Sequence, residues 1–139
     1  MSMKNNQPIL LIEDDIVDAM TVKRAHKDLN ITNPINTMGN GEAALEYLRN
    51  ETNRRPGLIL LDLNMPKMGG VEFLKIVKND EKLKRIPVVV LTTSKDEQDR
   101  FETFNLGVAG YMIKPVDYPQ FVETVRAIKM YWMLSETPD

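Results

Sequence analysis

Three short runs in this chain contain only aliphatic side chains: "ILLI" at Ile9 to Ile12, "LILL" at Leu58 to Leu61 and "VVVL" at Val88 to Leu91. A strand with one wet face alternates apolar and polar residues, so an unbroken run implies burial on both faces. Only a sheet covered by helices on both sides meets that demand, which restricts the fold more than any other feature. The intervening segments carry helical periodicity. From Ile16 to Leu29, the residues Ala19, Val22, Ala25 and Leu29 share one stripe; Val71, Leu74 and Val77 form another, and Phe121, Val125, Ile128 and Trp132 a third. "PINTM" (Pro34 to Met38) reads as a weaker strand before "GEAALEYLRN", and "GYMI" (Gly110 to Ile113) as a strand before the last helix.

Strand then helix, about five times over within 139 residues, predicts an α/β, doubly wound, five-stranded parallel sheet flanked by helices. Strand order 2-1-3-4-5, the flavodoxin-like arrangement, is expected. No repeat or linker interrupts it, so residues 1–139 read as one domain with a core at about 8–134 and short polar ends such as "SETPD". Ser94-Lys95-Asp96-Glu97 has the form of a capping box, and Asp117 before Tyr118 and Pro119 that of a helix cap.

Composition excludes several roles. Eighteen basic and 20 acidic residues give a net charge of −2, with no overall field for nucleic acid or an anionic membrane. "RNETNRRP" (Arg49 to Pro56) reads as a solvated loop. With no cysteine, disulfides and thiolate metal sites are absent. The start, "MSMKNNQP", lacks a signal-peptide core, and no run approaches a membrane span, so a cytoplasmic location is expected.

Parallel sheets place ligand sites outside the carboxyl ends of their strands, where strand order reverses. The first run ends on Glu13, Asp14 and Asp15, the third on Asp62, the fourth on Thr92 and Thr93, and the fifth on Lys114. The second, ending in Thr37 and Met38, offers nothing comparable. Crowded carboxylates repel and call for a cation, and all-oxygen ligands suit Mg²⁺. An aspartate can attack phosphorus to give an acyl phosphate; Lys114 would add positive charge and Thr92 a hydrogen bond. Taken singly, Asp14 or Asp15 could be a helix cap, Asp62 a turn residue, Lys114 a solvated lysine and Thr92 an ordinary strand-end residue. Their coincidence at the ends of the right strands is the evidence. His26 reads as a helix-face or packing residue, and the nine methionines mostly as core gap-fillers.

With these residues in place, "LLIEDD", "LILLDLNMPKMGG", "PVVVLTTS" and "GYMIKP" together resemble a bacterial response-regulator receiver domain over about Ile9 to Leu134. The resemblance implies Asp62 as phosphoacceptor from a sensor histidine kinase. It implies Glu13 and Asp14 as the acidic pair for Mg²⁺, with the Asn64 backbone carbonyl as a further ligand and Asp15 as a cap. Thr92 and Tyr111 match the family's switching hydroxyl and aromatic, and Lys114 its lysine, with a cis Lys114–Pro115 bond. Asn64 and Ser94 sit where the family tunes phosphoryl lifetime. One departure is Gly69, where the family often has an acid; a cap for the third helix is lost.

The receiver pattern takes up nearly the whole chain, so action through protein contact is expected rather than enzymatic output. "LKRIPVVVLTTS" and a last helix bearing "YWM" resemble stand-alone receivers that partner bacterial phytochromes and related sensor kinases. Between Lys95 and Leu106 the large apolar residues are Phe101, Phe104 and Leu106, as in a weakly anchored switch element. Met130, Tyr131 and Leu134 fall off the last helix's buried stripe; either they form a contact surface or the helix end tucks under a loop. A homodimer or kinase-contact face of the fourth helix, fifth strand and last helix is expected. Three rivals stand beside this reading. One is an aspartate-nucleophile phosphatase, disfavoured by Asn64 where a general acid belongs. Another is a nucleotide or flavin module, disfavoured by the glycine-free "EDDIVD". The third is a receiver-shaped adaptor that is never phosphorylated.

Overall fold

The computed structural model describes residues 7–134, with the backbone alone for residues 133 and 134. The tail "SETPD" and the side chain of Leu134 lie outside the described residues. Five strands alternate with five helices: β1 (Ile9–Ile12), α1 (Ile16–Asp28), β2 (Ile35–Met38), α2 (Gly41–Arg49), β3 (Leu58–Leu61), α3 (Gly70–Lys78), β4 (Val88–Thr92), α4 (Glu97–Asn105), β5 (Gly110–Ile113) and α5 (Tyr118–Leu134). The sheet is parallel throughout, in the order β2-β1-β3-β4-β5.

Alternation within the strands builds two cores. Ile9, Leu11, Leu58, Leu60, Val89 and Leu91 face α1 and α5; Leu10, Ile12, Ile59, Leu61, Val88 and Val90 face α2 and α3. Each of these side chains stabilises the fold by roughly 1.5–3 kcal/mol relative to exposure. The unbroken aliphatic runs are therefore the three inner strands. β2 and β5 are the edges, half-buried along their length, which accounts for their weaker signal. On α5 the expected stripe of Phe121, Val125, Ile128 and Trp132 is buried, as are Ala19, Val22, Ala25 and Leu29 along α1 and the residue after it.

Helix starts follow local chemistry, with one correction. Asp15 caps α1, its carboxylate accepting from the Asp18 N–H at 3.0 Å. Asp117 accepts from the Gln120 N–H at 3.2 Å at the start of α5. The cap of α4 is Asp96, which accepts from the Gln98 N–H at 2.8 Å, not Ser94 as the capping-box reading had it. Asp96 lies closer to the helix, and Ser94 Oγ instead accepts from the Asp96 N–H and donates to Asp99. α3 begins at Gly69 with no side-chain cap, as the missing acid implies. Its neighbour Gly70 is there for space: a Cβ would lie 2.7 Å from the Asp62 carbonyl oxygen. The methionine expectation holds only at the margins. Met38, Met65, Met68 and Met112 pack partly buried against the cores, while Met20 and Met130 face solvent.

Candidate functional site

The polar strand ends converge because side chains alternate. Leu11, Leu60 and Met112 all face the α1/α5 core. Two residues on, Glu13, Asp62 and Lys114 leave the sheet on that same side, beneath the start of α1. Pairing aligns them lengthwise. The Asp62 N–H donates to the Ile12 carbonyl at 3.0 Å, the Glu13 N–H to Met38 at 2.9 Å, and the Lys114 N–H to Thr92 at 2.8 Å.

Asp62 is only 6% exposed and Glu13 3%. Thr92 Oγ1 donates to Asp62 Oδ1 at 2.8 Å. The Lys114 ammonium donates to Glu13 Oε1 and, at 2.9 Å, to Asp18 Oδ2, and stands 3.9 Å from Asp62 Oδ2. Carboxylate oxygens of Glu13, Asp14 and Asp62 lie within 4.8 Å of one another, with Asp14 the exposed member. Burial pushes Glu13 up to about 7, reinforced by the charge of Asp62 and opposed by hydrogen bonds from Lys114 and the Asp15 N–H. Burial works against the Lys114 ammonium, yet its hydrogen bonds to Glu13 and Asp18 and the charge of Asp62 raise it above its ordinary value, so it stays protonated. Glu13, Asp18 and Asp62 surround one lysine, while Glu13, Asp14 and Asp62 bring three carboxylates together with more negative charge than that lysine offsets. An all-oxygen donor set of this kind fits a hard divalent cation.

The other sequence-marked residues are close by. Asn64 is exposed, two residues past Asp62. The Tyr111 ring packs half-buried against the α2/α3 core; its hydroxyl donates to the Ser94 carbonyl at 2.9 Å, and the Arg100 guanidinium lies 5.5 Å from the ring centroid. The Lys114–Pro115 bond is trans, against the expectation of cis, and trans is the lower-energy isomer of an X–Pro bond. His26 is buried, its Nδ1–H donating to the Val22 carbonyl at 2.8 Å, which is the packing role expected. Asp18 is the residue that sequence reasoning missed. Its place in the first turn of α1, three residues past the Asp15 cap and just beyond the strand-end acids, was the signal available. "RNETNRRP" does more than face water: with Tyr47, Leu83 and Ile86 it borders a cavity of about 710 Å³ away from these carboxylates.

A protein-family profile described as the response regulator receiver domain matches residues 9–126. The chain is 43% identical over 128 residues to the probable methanogenesis regulatory protein FilR2 of Methanothrix harundinacea, covering 90% of this chain and 83% of that one. It is 38% identical over 143 residues to the response regulator Rcp1 of Synechocystis, covering 99% and 97%. The Mn²⁺-bound crystal structure of Rcp1 superposes with a TM-score of 0.87 at 37% identity, over 96% of this chain and 99% of that one. The phosphorylated cyanobacterial phytochrome response regulator RcpA does so with a TM-score of 0.88 at 38% identity, over 96% and 99%.

Proposed function

This chain belongs to the response regulator receiver domain family, and on that premise we propose that Asp62 is the phosphoacceptor through which it signals. One observation carries the reading: Asp62 is buried between a lysine ammonium and a threonine hydroxyl, with two further carboxylates alongside. An oxygen of Asp62 attacks the phosphorus of a phosphohistidine on a sensor histidine kinase. The O–P bond forms as the P–N bond breaks, and the imidazole leaves with its electron pair. Lys114 balances charge on the phosphoryl oxygens, and the Thr92 hydroxyl turns its hydrogen bond from the carboxylate toward them. Glu13, Asp14, Asp62 and the Asn64 carbonyl would hold Mg²⁺, whose charge supports the same oxygens.

The signal then travels along β4. Tyr111 is tied to the Ser94 carbonyl, two residues past Thr92, so a shift of Thr92 reaches the ring and α4 together. The surface it alters lies along the β5 edge, where Phe101 and Phe104 of α4 and Met130 and Tyr131 of α5 are exposed. Self-association through this face is the output we favour. The donor docks over the reactive end, rimmed by exposed Ile16, Val17 and Met20 of α1 and by Val116 after β5. Since RcpA is a phytochrome response regulator, a bacteriophytochrome kinase is the donor of choice. A phosphatase reading is weaker because Asn64 cannot give and regain a proton.

The test is incubation with acetyl phosphate, with and without Mg²⁺, followed by mass and sedimentation. A metal-dependent adduct should form on the wild type and not on Asp62→Asn, with a change in oligomer size following the adduct. Equal labelling of Asp62→Asn, or sustained turnover of a phosphate ester at enzyme-like rates, would overturn the proposal.

A further inference from the structure

Lys114 has an unusual set of partners. Its side chain is 7% exposed, yet Val116, two residues further on, is fully exposed. Its position is therefore set by what its ammonium touches. Glu13 and Asp18 take two of its three N–H donors, and Asp62 at 3.9 Å is beyond hydrogen-bond distance. Glu13 belongs to the carboxylate cluster that suits a divalent cation, and a cation there competes with the lysine for the same oxygen charge. Asp62, on the reading above, is converted to an acyl phosphate. Asp18 belongs to neither group, and among the described residues it is the one ionic partner of Lys114 with no second task. Its own place is secured, because its backbone N–H is held by the Asp15 cap in the first turn of α1.

We propose that Asp18 is a positioning residue. It anchors the Lys114 ammonium from α1 so that a free N–H faces the phosphoryl group arriving on Asp62. The inference rests on the reading of Asp62 as phosphoacceptor. Asp18 is 40% exposed, so solvent screens its charge, and its contribution is the hydrogen bond and the orientation this imposes. An asparagine there keeps an acceptor oxygen within reach of the ammonium; an alanine or serine does not.

The initial rate of phosphorylation by acetyl phosphate, at saturating Mg²⁺, provides the test. Asp18→Ala should slow it roughly tenfold, as misplacement of a charge-stabilising group does, and Asp18→Ser should do the same while keeping a polar helix start. Asp18→Asn should recover most of the wild-type rate. In a Lys114→Met background, Asp18→Ala should cost nothing further, since its effect runs through the lysine. A wild-type rate in both Asp18→Ala and Asp18→Ser, or an equal loss with and without Lys114, overturns the inference. A wild type that takes no phosphoryl group from acetyl phosphate would instead bring down the Asp62 assignment beneath it.

Discussion

α4 and α5 flank the same strand, β5, yet are attached to the sheet in different ways. α5 buries Phe121, Val125, Ile128 and Trp132 in the α1/α5 core. α4 buries Thr103 and leaves Phe101 and Phe104 exposed. Polar contacts hold α4 instead: the Asp96 cap, the Ser94–Asp99 bond, and a Lys75–Glu102 ion pair at 3.3 Å to α3. The pair is partly exposed and worth about 0–1 kcal/mol. At its C-terminal end Gly107 takes a left-handed φ of 88°, which lets its N–H reach back to the Phe104 carbonyl at 3.0 Å. Moving α4 breaks a few bonds that water can replace, whereas moving α5 opens a core. β5 lies between a frame and a lightly anchored helix; it carries Tyr111, and Lys114 follows directly after it.

Truncating the frame should cost most. Trp132→Ala removes a fully buried ring and should destabilise the protein by about 3–5 kcal/mol in urea unfolding; a loss below about 1 kcal/mol would erase the contrast between the helices. The α1 side adds a smaller, pH-dependent effect. Burial lowers His26 from its ordinary value of 6.5, so the folded protein keeps it neutral while the unfolded chain takes a proton. Stability should therefore fall as pH drops below about 6.5, until the folded imidazole itself titrates. A His26→Gln variant should show a flatter profile between about pH 7 and 5; an unchanged slope would mean other groups produce it. The smallest effect belongs to α4. Phe101→Ser with Phe104→Ser should change stability by no more than about 0.5 kcal/mol, while reducing self-association of the phosphorylated protein in sedimentation. A large loss of stability would show these rings to be part of the frame.

Much of this was legible in the residues. The inner strands announced themselves because burial on both faces leaves no place for a polar side chain, and Asp62 stood out by ending such a run. The edge strands were fainter, since half-buried segments tolerate Asn36 and Thr37 in β2. The cap of α4 was misplaced because Ser94 and Asp96 both suit helix starts, and only the backbone path decides which is nearer. Asp18 was passed over because an acid in a first helical turn has an ordinary reason to be there.

By itself the sequence determined the layered parallel sheet, the two helical coverings and the residue types gathered at the strand ends. These follow from local periodicity and the cost of wetting aliphatic surface. The tertiary structure alone decided which of Glu13, Asp18 and Asp62 the Lys114 ammonium would join, and that the Tyr111 hydroxyl would be tied to the Ser94 carbonyl. Such outcomes depend on distances between groups remote in the chain, about a hundred residues apart for Lys114 and its partners, and no local pattern records them.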